Sequence, residues 1–178
     1  MRLQAFALVL WLTAVTAGAS AADPLSYDDP DVHFSAPDGW QRLDVPQAPA
    51  DSDGPKPPAA EFTKDFGNGD RRAIVIQIES DDKSLEQLVS DQDSQFRQAD
   101  GTVILGQERT ALANGMTAYW LCADQGTELG HLVRRCEYVV SDGQRSIIVA
   151  YLGRQFGFDP KEAKSALSSL SVVYPRRQ

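Results

Sequence analysis

Two cysteines, Cys122 and Cys136, lie between two hairpin-forming dipeptides, Asn114-Gly115 and Asp142-Gly143, and this spacing constrains the fold more than any other feature. Each dipeptide suits a two-residue turn, whose central positions must accept positive φ. Folding about Asp142-Gly143 sets Tyr138 opposite Ile147 and Cys136 opposite Val149. Folding about Asn114-Gly115 sets Ala111 opposite Ala118. If Cys122 then faces Cys136, Trp120 meets Tyr138 and Ala118 meets Val140. One face of the resulting ribbon collects Trp120, Cys122, Cys136, Tyr138, Ile147, Val149 and Tyr151. The other carries Tyr119, Leu121, Val139, Ile148, Ala150 and Leu152, interrupted by Arg135 and Glu137. Both faces are largely apolar, so each needs a cover.

The cysteine pair admits three uses. A metal centre needs four converging ligands, or three plus water; here only His131 is near, and His33 is remote. A redox pair favours C-x-x-C at a helix start, where the thiol pKa falls; this pair is far apart on strand-like flanks. A staple fits, because directly opposed strand residues lie at separations a disulfide can bridge. A Cys122–Cys136 disulfide is therefore the expectation, with no metal site and no cofactor site.

The N-terminus points to a compartment where such a bond persists. Arg2 precedes an apolar run from Leu3 to Val15, and Ala19-Ser20-Ala21 fits the small-residue rule for signal-peptide cleavage. The run falls short of the roughly 20 residues a membrane span requires, and no second apolar run follows. Export with cleavage after Ala21 is expected, hence a periplasmic or secreted protein with no stable span. In an oxidising compartment an even cysteine count normally means a disulfide. The net charge of −8 makes a nucleic-acid partner a poor match. The arginine pairs Arg71-Arg72, Arg134-Arg135 and Arg176-Arg177 are expected on solvated strands and the tail.

Further elements follow from pattern. Leu85, Leu88, Val89, Gln92 and Phe96 share one helical stripe, with Ser84 and Gln87 set as a capping box. Asp91 and Asp93 lie two apart on this helix, point in different directions, and read as a solvated face. A second helix begins with Asp159 as N-cap and Pro160 in its first turn, with Glu162 closing the box and Ala163, Ala166, Leu167 and Leu170 as its apolar side. A short strand at Ser171 ends the fold. Upstream, a strand near Phe34, a turn at Pro37-Asp38-Gly39 and a strand after Trp40 lead into a proline-rich surface loop, 45–60. Strands on either side of Gly67-Asn68-Gly69 form another hairpin. The expected organisation is a signal peptide at 1–21, a linker at 22–31, one domain at 32–174 and a polar tail at 175–178.

The segments FSAPDGW (34–40), GMTAYWL (115–121) and RRCEYVVSDGQRSIIVAYL (134–152), with the Phe158-Asp159-Pro160 helix and the terminal SSLSVV, resemble the PsbP/DcrB-like superfamily. The resemblance spans Val32 to Val173. It implies an α+β fold, an antiparallel β-sheet meander covered by helices on both faces. The motif residues are turn formers and core side chains. The superfamily comprises mostly non-catalytic binding and accessory modules, among them photosystem extrinsic subunits, a Ran-binding import factor, bacterial envelope proteins and effector-loading chaperones. It supplies no shared active site to place on these residues.

The residues themselves point the same way. Neither His33 nor His131 has an identifiable catalytic partner, and no G-x-S-x-G, H-E-x-x-H or Walker A pattern occurs. The expected function is that of an exported non-catalytic binding or accessory protein with a protein partner in the cell envelope. Its binding residues are expected in the 45–60 loop and the 124–131 connection. Two alternatives stay open: an immunity-type inhibitor of an exported toxin, whose acidic charge would suit a basic target, and a hydrolase with an unrecognised site.

Overall fold

A computed structural model describes residues 26–45, 57–98, 101–126 and 132–173. The expected signal peptide, most of the 45–60 loop, His131 and the 175–178 tail lie outside the described residues. Ten strands and two helices follow in order: β1 (Ser26–Asp28), β2 (Val32–Ser35), β3 (Gln41–Leu43), β4 (Ala60–Asp65), β5 (Arg71–Ser80), α1 (Leu85–Gln98), β6 (Val103–Ala111), β7 (Thr117–Gly126), β8 (Leu132–Ser141), β9 (Arg145–Arg154), α2 (Pro160–Ala166) and β10 (Ser171–Val172). Residues 26–28, expected within a linker, instead pair with β2, because Tyr27 and Phe34 fall opposite each other and can share one apolar edge.

The main sheet is seven-stranded and antiparallel, in the order β3-β4-β5-β9-β8-β7-β6. It is two meanders rather than one. The first, β3-β4-β5, is followed by α1, which carries the chain across the sheet to its far edge. The second, β6 to β9, then returns until β9 pairs with β5. A smaller sheet, β1-β2-β10, is not hydrogen-bonded into the main one.

Alternation along β7 separates two cores. Trp120 and Cys122 belong to the larger one with Tyr138, Val149, Phe34 and Val32 of the small sheet, and Ala163 and Leu167 at α2. Leu121 and Ala123 belong to the smaller one with Phe96 of α1. One face is thus covered by α2 together with the small sheet, the other by α1. The FSAPDGW segment earns its pattern here: Gly39 has φ +79° in the turn. Phe34 meets Phe62 edge-on at 5.6 Å, and Trp40 meets Tyr151 at 5.4 Å.

The register between β7 and β8 agrees with expectation: Cys122 faces Cys136 and Trp120 faces Tyr138. The two sulfurs form a disulfide. The outer hairpins differ. About Asp142-Gly143 the pairing is shifted by two residues, Tyr138 with Val149 and Cys136 with Tyr151. The cause is the Asp142 side chain, which accepts from the backbone N–H groups of Gln144 and Arg145 and so closes a longer loop. A two-residue shift leaves every side chain on its original face. About Asn114-Gly115 the shift is one residue, Ala111 pairing with Thr117. Gly115 alone takes positive φ there, and Leu112 N–H donates to the Met116 carbonyl, closing a three-residue loop. Asn68 and Gly69 both have positive φ, as a type I′ turn requires.

The capping box on α1 is formed in both directions: Gln87 N–H donates to Ser84 Oγ, and Ser84 N–H to Gln87 Oε1. Asp159 accepts from Lys161 and Glu162 N–H at the start of α2. The Glu162 carboxylate does not complete that box; it turns away to Arg72 and the Tyr151 hydroxyl, where a buried cation outweighs a backbone donor that water can reach.

Candidate functional site

The α1-covered face of the sheet is not sealed. α1 packs over β7 and β8, and towards β5 and β9 a polar groove of about 300 Å³ remains. Its walls include Gln77 and Glu79 of β5, Lys83 from the turn into α1, Asp91 and Gln92 of α1, and Arg135 of β8. Strand alternation places these side chains. Gln77 and Glu79 pair with Ile148 and Ser146 of β9, and all four point to the α1 side. Leu88, Gln92 and Phe96 are the buried stripe of α1, so Gln92 occupies a position at which the helix would ordinarily present an apolar side chain.

Two acceptors beneath α1, one on the groove wall and one buried outside it, lack a hydrogen-bond partner among the described residues. One is Oε1 of Gln92, a residue 9% exposed. The other is Oε1 of Glu137, which is fully buried. Glu137 lies on the α1 side of β8, and its other oxygen accepts from Arg135 Nε at 2.5 Å. Arg135 in turn stacks its guanidinium 5.6 Å from the Phe96 ring. At the mouth, Lys83 contacts Asp91 at 2.9 Å and Asp81 at 3.4 Å, joining the turn to the helix. Asp93, expected on a solvated face, is half-buried and pairs with Arg97 one turn along α1, leaving its Oδ1 buried without a partner among the described residues.

Burial pushes the Glu137 carboxyl above its ordinary value of 4.5, against the pull of Arg135. The folded state therefore keeps this proton to higher pH than the unfolded chain. The stability from neutral Glu137 is full below 4.5 and is lost as pH rises through the folded value. Urea unfolding from pH 4 to 8 should show wild type losing stability relative to Glu137→Gln, with a slope approaching about 1.4 kcal/mol per pH unit. A difference constant across that range would mean the folded carboxyl titrates no higher than the unfolded one.

A second ionic cluster sits at the other face, where arginines expected in solvent are buried. Arg72 is 6% exposed and Arg134 8%. Arg134 forks onto Asp124, Nε to Oδ1 at 2.8 Å and Nη2 to Oδ2 at 3.1 Å, and also donates to the Phe158 carbonyl. Arg72 binds Asp70, Glu162, the Tyr151 hydroxyl and the Gly157 carbonyl. Both guanidinium groups lie against the Phe158 ring. The burial is possible because each cation meets carboxylate, Arg134 from β7 and Arg72 from α2 and from the turn before β5. These groups tie the sheet end to α2.

His33 is an exposed residue of β2, its Nδ1 3.1 Å from Asp28. His131 and most of the 45–60 loop are outside the described residues, as are 127–131 of the second expected binding loop; Asp124 itself is committed to Arg134. Among the described residues no group of three or more His, Cys, Asp and Glu side chains is arranged to hold a metal ion. None of the described helices is long and apolar enough to cross a membrane. The groove was not singled out from sequence, although its signal was present: Gln92 interrupts an apolar helical stripe, and Arg135 and Glu137 interrupt the strand face below it.

No protein-family model matches the chain, and no curated protein matches it in sequence. Several solved structures share its architecture. LpqN, involved in cell envelope biogenesis in Mycobacterium tuberculosis, is 16% identical with a TM-score of 0.54, over 80% of this chain and 86% of its own. Cyanobacterial PsbP from Synechocystis is 13% identical with a TM-score of 0.52, over 88% of this chain and 97% of its own. A Pseudomonas aeruginosa protein of unknown function is 15% identical with a TM-score of 0.52, over 86% and 97%. At such identities the likeness is one of fold, and the fold is PsbP-like.

Proposed function

We propose that this PsbP-like protein is an exported binding or accessory protein of the cell envelope that acts without covalent chemistry. The observation that carries the binding half is the α1 groove, a concave polar site whose wall includes Gln92, with a buried Oε1 that no described group satisfies. An unmet buried acceptor costs roughly 1–3 kcal/mol, and a ligand that supplies the donor recovers that energy on binding. The compartment is supported by the disulfide between interior strands, which persists under oxidising conditions, and by the N-terminal sequence. The envelope role of LpqN is compatible with this assignment.

The test is capture from periplasmic extract with the mature chain as bait, comparing wild type with Glu79→Lys. Glu79 is exposed at the groove, so the charge reversal leaves the core untouched. An envelope component retained by wild type and lost by the variant supports the assignment. Equal retention by both places binding elsewhere. Exported protein should begin at or near Ala22 on N-terminal sequencing; a chain still starting at Met1 and held in the membrane contradicts export. The net charge of −8 favours one more specific reading, a toxin inhibitor, whose captured partner would be a basic exported protein.

A further inference from the structure

We propose that one end of the main sheet docks on the surface of a phospholipid bilayer that carries anionic headgroups. At this end β5, β6 and β8 begin and β4, β7 and β9 finish. Five of the six large hydrophobic side chains exposed among the described residues gather there. Phe66 lies in the β4–β5 turn, Val103 and Leu105 open β6, Leu132 opens β8, and Phe156 follows β9. Antiparallel pairing strings these positions across β5, β9, β8, β7 and β6, a row of about 20 Å at the usual strand spacing. An apolar row along a sheet end suits a broad surface, and none of its members lines the α1 groove.

The backbone at Phe156 is a second observation. Its φ of +64° is a conformation that a bulky side chain rarely adopts and that glycine takes without cost. The turn is nonetheless held, since Gln155 N–H donates to the Leu132 carbonyl and Gly157 N–H to the Arg154 carbonyl. The result is a phenylalanine 80% exposed beside exposed Leu132, its ring 5.8 Å from the Arg134 guanidinium. Strain of this kind persists at sites where the displayed side chain has something to meet.

Charge selects the occupant. Arg71 and Arg154 are exposed at this end, with Lys161 in the first turn of α2, and none forms an ion pair among the described residues. Lys64 donates to the Asp38 carbonyl and lies 5.3 Å from the Phe66 ring. Neighbouring carboxylates are engaged within the fold. Arg72 holds Asp70 and Glu162, Arg134 holds Asp124, and backbone N–H groups hold Asp65 and Asp159. At the opposite end Lys83 and Arg145 are enclosed by acid, including Asp29, Asp31, Asp81 and Asp142. An anionic surface therefore attracts the aromatic end and repels the other, which orients a chain of net charge −8. Basic side chains reach the headgroups while aromatic rings settle at the interface.

The experiment is co-sedimentation of the mature, disulfide-bonded chain with phosphatidylcholine vesicles, with and without about one-third phosphatidylglycerol. NMR broadening by a spin-labelled lipid maps the contact. Binding to the anionic vesicles is expected, weakened by salt, with broadening confined to this sheet end. Phe156→Gly, which relieves the backbone, and Leu132→Ser should each weaken it about fivefold or more in a chain that keeps its folded spectrum. Arg71→Gln/Arg154→Gln should remove the preference for anionic lipid. Val173→Ser, exposed beyond β10, should change nothing. No binding to anionic vesicles, equal binding to both compositions, or binding that survives Phe156→Gly and Leu132→Ser overturns the proposal. If a photoreactive residue at 156 captures an envelope protein in cells while vesicles fail to bind, the row serves a protein partner and the lipid assignment is wrong. Glu79→Lys alters the groove and leaves this end intact, so failure here and failure of groove capture are distinguishable.

Discussion

Arg134→Ala should destabilise the fold by about 3–5 kcal/mol, the cost of removing one partner from a buried ion pair. The substitution leaves Asp124, 3% exposed, with the Gln155 side chain as its one remaining side-chain donor among the described residues. Urea unfolding measures the loss. The double variant Arg134→Met/Asp124→Leu should sit much closer to wild type, because it removes the charge that the single variant strands. The pH dependence has a definite sign as well. The bond from Arg134, aided by Gln155 and opposed by burial, holds the Asp124 carboxyl below its ordinary value of 3.8. Stability from this group is full above 3.8 and is lost as pH falls through the folded value. This is opposite in sense to Glu137, whose contribution is lost on the alkaline side. A loss below about 1 kcal/mol for Arg134→Ala would place the pair in the class of exposed salt bridges.

Replacing both Cys122 and Cys136 by alanine should cost roughly 3 kcal/mol, the loop-closure entropy of a cross-link over this span. Both residues are fully buried in the larger core, so the smaller alanine side chains add a packing loss of the same sign. Non-reducing peptide mapping of exported protein should find the two cysteine peptides joined. Free thiols at both positions, or zinc bound in equimolar amount, would contradict it. Because the sulfurs have no solvent exposure, a mild reductant should open the bond only as fast as the native state opens.

The central ribbon was legible because two independent constraints coincided there. The apolar alternation of β7 and β8 and the demand that Cys122 face Cys136 fix the same register. Carried two residues further, that register sets Asp124 against Arg134, so the buried pair was within reach of the sequence. Adjacent arginines are ordinarily solvated, so residue type alone argues for exposure at Arg134 and masks the pairing that the register implies. The contact of Arg72 with Glu162 had no such signal, since it joins β5 to α2 across a long stretch of chain. The outer hairpins slipped for local reasons. Asp142 spends its side chain on backbone donors of the turn, and Asn114 donates its amide to the Val172 carbonyl of β10. Dipeptide patterns do not encode those bonds. Strand β1 was illegible because three residues carry too little pattern, and its stability derives from pairing with β2.

The groove presents the converse case. Its polar residues were visible individually, Gln92 as a flaw in a helical stripe and Arg135 with Glu137 as a flaw in a strand face. Only the placement of α1 over β7 and β8 brings the flaws to one place. Polar residues at inward positions are costly unless satisfied, and here two of their atoms are not.

Site-specific photo-crosslinking in living cells tests most directly whether the protein acts by binding at that groove. The photoreactive residue is placed at Gln95, on the exposed rim of the groove, and in a second strain at Ser168, exposed just after α2 on the other side of the sheet. Adducts to an envelope component from position 95 but not from 168 are the expected result. Adducts from 168 alone, or none from either position in correctly folded exported protein, would contradict it.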